Sequence, residues 1–436
     1  MSQPTLSAHF ASRKPSVIRA AQFEFKGRND GTEAVNVAIG NVSLPMHPAM
    51  RERLRVVGTP DGPLADGVVK YSFTAGLTET NEAFLHIISA SGFPTAGLLS
   101  QVTDGGSQAM ELVILGCCGP AGAGERPLLL IDAAYTNYKA FTQRLGRRTV
   151  SITRTLDEEG NFSLPELGEI EAVIREHKPG AMLVIPYDNP TGQLYDQATL
   201  VALGKLCVEY GLWMISDEAY RELYYRGNEP VSVWGLTEDE VPGITGRRIG
   251  IETASKVWNA CGLRIGALVT DNEEFHRRAV AENTAGLCSN MIGQQVFAAL
   301  GEVPVGELRQ WFAAQREYYG GMLTSLTTRT RELIPGVIVS SPDASIYSVI
   351  DVRNLVDEKF EALDFVMFCA REGCVQRDGR SLTLLTAPMA GFYSVPAGTP
   401  NPGRTQMRIA YVETPDTMAL VPELLAELLE QYLDRS

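Results

Sequence analysis

The sequence contains few of the features that mark membrane, secreted or nucleic-acid-binding proteins. No apolar run approaches the roughly 20 residues that a membrane helix requires, and residues 1–21 lack the continuous apolar segment of a secretory signal. Lys and Arg number 38 against 52 Asp and Glu, which gives a net charge of -14 with no basic stretch to offset it. We therefore expect a cytoplasmic protein with neither a membrane nor a nucleic-acid partner.

Cysteine and histidine are also sparse. The seven cysteines are odd in number and form no CxxC pair, which favours reduced thiols over a disulfide framework. The five histidines never occur at i and i+4 and do not cluster with cysteine. No metal site is expected from such a pattern.

What the sequence does contain is typical of a globular protein. Its hydrophobic content of 44% and charged content of 21% argue against a disordered chain. The 436 residues allow two to three domains with sizeable cores, because a typical domain has about 150 residues. The motifs described below favour two domains.

Short apolar runs alternate with helical patterns between about residues 98 and 270. Continuous apolar strands separated by helices indicate a parallel sheet that is buried on both faces. The fold class predicted is therefore α/β, with a large domain whose mostly parallel sheet is covered by helices on both faces. The expected strands are residues 128–131, 182–185, 212–215, 249–251 and 265–269. The clearest unit has a helix over 196–210, ended by Gly211, between two of these strands.

The pattern changes after about residue 302 and predicts a second, smaller α+β domain. A long helical stretch over 305–333 is followed by strand-like runs at 348–352 and 407–412 and by a terminal amphipathic helix. The Pro- and Gly-rich segment 387–406 is expected to be a loop. We predict three regions: 1–60 as an N-terminal arm and part of the small domain, 61–320 as the large cofactor-binding domain, and 321–436 as the C-terminal small domain.

Polar residues near the ends of the expected strands are candidates for a binding site, because ligands bind outside the carboxyl ends of strands in an open parallel sheet. Each candidate also has an ordinary structural explanation: a Gly-Gly turn before a helix, a Pro-Gly turn, a helix N-cap and a solvated lysine. The four segments are Thr103-Asp104-Gly105-Gly106-Ser107-Gln108, Asn189-Pro190-Thr191-Gly192, Asp217-Glu218-Ala219-Tyr220, and Thr253-Ala254-Ser255-Lys256 followed by Gly262-Leu263-Arg264-Ile265-Gly266.

Taken together, these segments make a specific pattern. Asn-Pro-Thr-Gly, Asp-x-x-Tyr and Ser-Lys-x(7)-Arg-x-Gly occur in this order along the chain. The sequence resembles the class I and II aminotransferases, which are pyridoxal-phosphate enzymes of fold type I. The resemblance covers nearly the whole chain, from Gly40 to Arg408. It implies an enzyme that moves an amino group from an L-amino acid to a 2-oxo acid.

The resemblance also implies a role for each matching residue. Lys256 would form a Schiff base with pyridoxal phosphate and carry the proton during the reaction, and Asp217 would pair with the pyridine nitrogen. Tyr220 and Asn189 would bind the phenolic oxygen, and Tyr135 would stack on the ring. The phosphate would be held by Gly106, Ser107, Gln108, Thr253 and Arg264.

Two further roles concern the substrate and a second subunit. Arg408, with Gly40 and Asn189 beside it, would hold the substrate α-carboxylate as a bidentate partner. Tyr71 resembles the tyrosine that reaches the phosphate of the neighbouring subunit, which implies a homodimer with shared active sites.

Three departures from the family pattern stand out. Asp188 precedes Asn189 where Asn or His is common, and Thr253 replaces a common serine while keeping its hydroxyl. Some dicarboxylate-specific members carry an arginine in the segment that corresponds to 285–290, and this sequence has none there. The segment therefore gives no support for aspartate or glutamate as the donor. Lys26, Arg28 and Arg404 are cations that could take its place, although each also fits a solvated surface charge.

Other activities remain open on the sequence alone. Ser107 in Gly105-Gly106-Ser107-Gln108-Ala109 nearly matches the nucleophile elbow of serine hydrolases, with His177 or His276 as the available base. Gly122-Ala123-Gly124 is a weaker match to a dinucleotide site. A transcription regulator of this fold would need an additional basic domain, which the acidic charge does not favour. Elimination or other chemistry at the same cofactor would use the same residues as transamination.

Overall fold

The computed structural model describes residues 4–13, 17–119, 124–340, 342–396 and 398–435. Within these ranges the helices are α1 (Ala8–Ser12), α2 (Val17–Phe25), α3 (Pro48–Val56), α4 (Thr78–Ala90), α5 (Gly105–Cys118), α6 (Thr136–Arg144), α7 (Leu167–His177), α8 (Gln197–Glu209), α9 (Glu273–Asn283), α10 (Met291–Ala298), α11 (Val305–Leu333), α12 (Ala362–Arg371) and α13 (Pro415–Leu433). None of them is long and apolar enough to cross a membrane.

The strands form four sheets. They are β1 (Glu33–Asn36), β2 (Leu99–Thr103), β3 (Leu128–Asp132), β4 (Thr149–Thr153), β5 (Thr155–Leu156), β6 (Phe162–Ser163), β7 (Ala181–Val184), β8 (Trp213–Asp217), β9 (Arg248–Thr253), β10 (Gly266–Thr270), β11 (Ile338–Val339), β12 (Tyr347–Asp351), β13 (Val375–Arg377), β14 (Arg380–Leu385), β15 (Ala387–Pro388) and β16 (Gln406–Ala410). All five strands predicted between residues 128 and 269 are present.

The largest sheet has seven strands in the order β2-β10-β9-β8-β7-β3-β4. The ladders from β9 across to β4 are parallel, and β10 runs antiparallel to both of its neighbours. The prediction of a mostly parallel sheet is confirmed. Asp217 is the last residue of β8 rather than the residue after it, and it pairs with Ile251 in the register of β8 and β9.

The two faces of this sheet pack against different helices because successive strand residues point to opposite sides. In β3, Leu128 and Leu130 belong to a core cluster with residues of α5 and α9, whereas Leu129 and Ile131 belong to a cluster with residues of α4 and α8. Both faces are therefore covered, as the continuous apolar runs predict.

One of the smaller sheets combines both ends of the chain. Residues 33–36 of β1 pair in parallel with residues 382–385 of β14. A second sheet, in the order β11-β12-β16-β15, aligns Val349 of β12 with Arg408 of β16. This arrangement brings the segment after β1 next to the strand that carries Arg408.

The structure corrects the expectation that 387–406 is a plain loop. Ala387–Pro388 forms β15 and pairs with β16, and two short 3₁₀ helices follow at Ala390–Phe392 and Pro402–Thr405. Phe392 is buried with Met389 in a small apolar cluster, and its carbonyl accepts a hydrogen bond from the N–H of Ala134. Buried side chains and backbone pairing order this segment despite its Pro and Gly content.

Candidate active site

A cavity of about 330 Å³ lies where the carboxyl ends of the central strands meet residues from both chain ends. Its walls come from the turn after β7, the ends of β8 and β9, the starts of α5 and α6, and strand β16. The cavity contains most of the residues singled out from the sequence: Gly40, Gly106, Ser107, Tyr135, Asn189, Asp217, Tyr220, Thr253, Lys256, Arg264 and Arg408. Residues far apart in sequence thus converge on one pocket of a size suited to a small ligand.

Lys256 lies in the turn between β9 and β10. Its Nζ donates a hydrogen bond of 2.5 Å to the carbonyl oxygen of Gly40 and lies 5.9 Å from the centre of the Tyr220 ring. The residue is half-buried and lines the cavity. A primary amine in this position is accessible to a carbonyl carbon of a bound ligand.

Asp217 presents its carboxylate to the cavity from the end of β8. Its Oδ2 accepts a 2.5 Å hydrogen bond from the hydroxyl of Tyr138, and its Oδ1 accepts one of 3.1 Å from the N–H of Ala219. Burial raises the pKa of Asp217, whereas these two hydrogen bonds act to lower it. A cationic ligand group at this carboxylate would relieve the cost of its burial.

Two tyrosine hydroxyls and one amide meet on the other side of the cavity. The Nδ2 of Asn189 donates to the hydroxyl of Tyr220 over 3.2 Å, and that hydroxyl lies 2.8 Å from the hydroxyl of Tyr347. Burial raises the pKa of Tyr220 well above its usual value, which keeps the phenol protonated. These groups can hydrogen-bond an oxygen of a ligand.

Arg408 is held in a fixed orientation from β16. Its Nη1 donates to Oδ1 of Asn189 over 2.9 Å and its Nη2 to the carbonyl of Ala38 over 2.7 Å. The guanidinium lies over the rings of Tyr347 and Phe392, at 4.4 and 5.2 Å from their centres. Its buried Nε has no hydrogen-bond partner within the described part of the chain. These contacts hold the guanidinium of Arg408 in an orientation in which it can donate hydrogen bonds to a carboxylate.

The start of α5 and Arg264 lie side by side, and together they can bind an anion. Asp104 precedes the helix, but its side chain does not cap the helix, so the first N–H groups are not satisfied by it. Arg264 lies against Gly105: a Cβ on that glycine would come within 2.3 Å of the Arg264 Nη2. The same Nη2 lies 3.5 Å from the hydroxyl of Ser107. A Cβ at residue 105 would displace this Nη2 from its present position.

The cavity fits pyridoxal phosphate. A phosphate can be held by the start of α5 and Arg264, a protonated ring nitrogen by Asp217, and the ring face by Tyr135. Lys256 supplies the amine that the cofactor aldehyde requires. All of these residues line the same cavity.

Two of the residues predicted to bind the cofactor do not line this cavity. The side-chain amide of Gln108 is occupied, because its Oε1 accepts from the N–H of Asp104 and its Nε2 donates to Asn283. Tyr71 lies in the extended segment between α3 and α4 with 77% of its surface exposed. In a single chain it makes no contribution to the pocket wall.

The cavity also contains groups that the sequence motifs did not identify. Tyr138 lies one helical turn after Tyr135, and its i+3 spacing from Tyr135 was the signal that could have revealed it. Tyr347 and Arg19 carried no such signal. Tyr347 comes from the first residue of β12, and Arg19 comes from α2 near the start of the chain.

A serine hydrolase needs a histidine near Ser107, and the described cavity wall contains none. The Nε2 of His276 bonds to the carbonyl of Ser100, and His177 is exposed beside Glu176. Residues 122 and 123 of the weak dinucleotide motif lie outside the described residues. Among the described residues, no group of three or more His, Cys, Asp or Glu side chains is placed to hold a metal ion.

Comparison with known proteins agrees with this geometry. The profile of the family described as aminotransferase class I and II matches residues 67–406. The aspartate/prephenate aminotransferase of Thermus thermophilus is 24% identical over 362 residues, covering 82% of this chain and 87% of its own length. The glutamate-pyruvate aminotransferase AlaA of Escherichia coli is 24% identical over 370 residues, covering 81% and 84%.

Solved structures show the same fold. N-succinyldiaminopimelate aminotransferase from Mycobacterium tuberculosis superposes with a TM-score of 0.79 at 20% identity, covering 97% of this chain and 100% of that one. The family profile spans most of the chain, and the cavity holds the groups that pyridoxal phosphate requires. The chain belongs to the class I and II aminotransferases, and it is a pyridoxal-phosphate-dependent enzyme of fold type I that transfers amino groups.

Proposed function

We propose that Lys256 carries the cofactor and acts as the general acid and base of an amino-group transfer from an L-amino acid to a 2-oxo acid. When bound, pyridoxal phosphate supplies the electron sink that stabilises negative charge at the substrate α-carbon. The Nζ of Lys256 removes the proton from that carbon and returns it in the reverse half-reaction. Donor and acceptor exchange an amino group for a carbonyl oxygen, so no external oxidant is consumed.

The other residues divide into three groups in this proposal, at the cofactor ring, the substrate carboxylate and the phosphate. Asp217 holds a protonated ring nitrogen, Asn189 and Tyr220 bind the phenolic oxygen, and Tyr135 packs on the ring face. Arg408 holds the α-carboxylate of the substrate close to Gly40 and Asn189. The phosphate is held by Gly106, Ser107, Thr253 and Arg264, with the backbone of Gln108 at the same helix start.

One observation carries the proposal: Lys256, Asp217, Arg264 and Arg408 line a single cavity. The chemistry of each side chain suits a different one of the tasks proposed. An amine is needed for attachment, a carboxylate for the ring nitrogen, and two guanidinium groups for the two anionic ends of cofactor and substrate. The phenols of Tyr135 and Tyr220 and the amide of Asn189 supply neutral contacts between these charged groups.

The test of the cofactor assignment compares Lys256→Ala with Lys205→Ala. Lys205 is an exposed residue of α8 and serves as the matched control. Wild type and Lys205→Ala should bind pyridoxal phosphate, absorb visible light and, after borohydride reduction, carry a covalent adduct on the Lys256 peptide. Lys256→Ala should lose the adduct and the turnover. A wild-type protein without the adduct contradicts the proposal.

A second experiment separates transfer from elimination. The loaded enzyme is incubated with a panel of single amino acids in the absence of any 2-oxo acid. Stoichiometric conversion of the cofactor to its amine form supports transfer, and the reactive amino acids identify the donor. Catalytic release of ammonia together with a 2-oxo acid would contradict it.

We also propose that the enzyme is a homodimer with shared active sites. The extended segment between α3 and α4 exposes Val68, Val69, Tyr71 and Phe73, whose exposed fractions rise from 47% to 88%. Contiguous apolar surface of this kind is typical of an interface. In this arrangement Tyr71 reaches the phosphate in the partner's site.

Sedimentation velocity tests the dimer. Wild type should sediment with twice the chain mass, and Phe73→Asp should shift the population towards the monomer. Leu167→Asp is the control, because Leu167 is exposed to a similar degree as Val68 but lies on α7. A monomeric, active wild type would contradict shared sites.

Two further assignments are proposed on narrower support. The division into regions 1–60, 61–320 and 321–436 is supported by the pairing of β1 with β14, although the boundary at 320 falls inside α11. A cytoplasmic location is supported by seven free cysteines, four of them buried. Limited proteolysis tests the first proposal, and cell fractionation tests the second.

A further inference from the structure

We infer that Arg19 on α2 is the residue that recognises an anionic group at the far end of the substrate side chain. The inference deepens the proposed function, because it names the substrate class of the same cavity. The favoured donor is an amino acid whose side chain ends in an anion.

The charges of the cavity wall are the starting point. Four cations line it (Arg19, Lys256, Arg264 and Arg408), against a single carboxylate, that of Asp217. The proposed function uses Lys256 for attachment, Arg264 for the phosphate and Arg408 for the α-carboxylate. Arg19 is the cation of this wall to which the proposed function gives no partner.

Arg19 is also uncommitted, unlike the other three cations. Lys256 donates to the carbonyl of Gly40, and Arg264 donates to that of Cys261. Arg408 donates to the carbonyl of Ala38 and to the side-chain Oδ1 of Asn189. Within the described ranges, Arg19 has no hydrogen-bond or ion-pair partner, and its side chain is exposed at the cavity. A guanidinium that faces a ligand cavity without a protein partner is available to a bound anion.

The position of Arg19 is nevertheless fixed by its neighbours. Ile18 packs against the apolar cluster that contains Met389 and Phe392, and Ala21 is buried in the main core. Helix α2 is thereby held against α12 and β15. The backbone of Arg19 is anchored on both sides, which limits the conformational freedom lost when its side chain binds an anion.

The cations considered from the sequence for this task are engaged elsewhere. The side chain of Arg28 is only 5% exposed, and its guanidinium donates to Asp30 and to the carbonyls of Cys369 and Gly373. Arg404 donates to three carbonyls between residues 357 and 360. Lys26 lies over the ring of Phe23, and neither it nor the other two lines the cavity.

The cavity wall that includes Arg19 also contains apolar surface. Helix α2 contributes Ile18, and α6 contributes Phe141 together with Thr136 and Asn137. A short aliphatic chain that ends in an anion can pack its methylene groups on Ile18 and Phe141 while Arg19 binds the end group. Carboxylate, sulfonate and phosphate ends share this chemistry.

Single-turnover kinetics test the inference with wild type, Arg19→Gln, Arg19→Lys and the control Lys26→Gln. The donors are glutamate, aspartate, cysteate and phosphoserine, each compared with a neutral analogue such as glutamine, asparagine or norvaline. Arg19→Gln should lower kcat/KM for the anionic donors by about tenfold or more and leave the neutral donors within about twofold. Arg19→Lys should recover part of the loss, and Lys26→Gln should match wild type. The preferred end group among the anionic donors identifies the natural one.

A binding measurement keeps the test independent of turnover. The dissociation constants of glutarate and butyrate for the cofactor-loaded protein are measured by calorimetry. Arg19→Gln should weaken the binding of glutarate by about tenfold and leave the binding of butyrate unchanged. Equal losses for both ligands, or no loss for glutarate, would overturn the role of Arg19 while leaving the proposed transfer intact. Failure of every amino acid to convert the cofactor would instead refute the proposed transfer, and glutarate binding would still decide the role of Arg19.

Discussion

The guanidinium of Arg154 and the carboxylate of Asp188 form a buried ion pair, with Nη1 and Oδ2 3.0 Å apart and both side chains almost fully excluded from solvent. The second oxygen of Asp188 accepts hydrogen bonds from the N–H and the hydroxyl of Thr191. Arg154 in turn donates to Tyr195 and to the carbonyl of Ile131. Asp188, which departs from the family pattern, thus fixes the turn that presents Asn189 to the cavity.

Breaking this pair should destabilise the protein. Asp188→Asn keeps the hydrogen-bond acceptor for Thr191 but leaves the cation of Arg154 buried without a counter-charge. The free energy of unfolding should fall by about 3 to 5 kcal/mol, measured by urea denaturation. The double variant Asp188→Asn, Arg154→Met should lose less unfolding free energy than Asp188→Asn alone, because it removes the unpaired charge. A single variant as stable as wild type would show that the pair contributes nothing.

Tyr138→Phe should change the pH dependence of activity. The Tyr138 hydroxyl donates to Asp217 and so favours the charged carboxylate, against the burial that raises its pKa. Its removal should raise the pKa of Asp217 and move the acid limb of the kcat profile to higher pH by about one unit. Tyr210→Phe, at a tyrosine outside the cavity, is the control and should leave the limb in place. If the acid limb of the kcat profile is unchanged in Tyr138→Phe, then Tyr138 does not affect the ionisation of Asp217.

Gly266→Ala should weaken cofactor binding through the phosphate. A Cβ at residue 266 would come within 2.6 Å of the backbone of Gly105 and Gly106, so the start of α5 would have to move. We expect about a tenfold weaker affinity for pyridoxal phosphate and a much smaller change for pyridoxal, measured by equilibrium titration. The control Gly262→Ala lies close by and has no atom within 4 Å of its added Cβ. Equal losses for both ligands would point to a general loss of structure.

Arg408→Lys should impair substrate binding more than folding. A lysine cannot contact Asn189, the carbonyl of Ala38 and a substrate carboxylate together, because it lacks the planar fork of arginine. The kcat/KM for every amino acid should fall by about tenfold or more, with unchanged cofactor absorbance. A loss confined to donors with anionic side chains would place Arg408 at the wrong end of the substrate.

The residues that the sequence identified lie next to strand ends of the parallel sheet. Asn189 follows β7, Asp217 ends β8 and Thr253 ends β9, and adjacent parallel strands necessarily bring such positions together. Local patterns were therefore enough to predict the sheet and this part of the pocket. Gln108 follows the same local rule, but the hydrogen bonds of its side chain to Asp104 and Asn283 could not be predicted from spacing.

The groups that the sequence missed reach the pocket through packing between distant elements. Tyr347 belongs to a different sheet from Asp217, and Arg19 arrives on a helix whose position depends on α12 and β15. No local periodicity encodes such contacts, since they depend on how whole layers pack. The segment 387–406 was misjudged for the same reason, because its order comes from the burial of Phe392 and its neighbours.

The contact between Arg408 and the carbonyl of Ala38 joins residues that are 370 positions apart. At the usual pace of translation, about 5 to 20 residues per second, roughly 20 to 75 s separate the synthesis of these two residues. The last strand of the large sheet ends at Thr270, so the ribosome makes every strand of that sheet before it makes Arg408. Lys256 is likewise synthesised before Arg408, so the growing chain contains the proposed cofactor lysine before it contains the proposed partner of the substrate carboxylate.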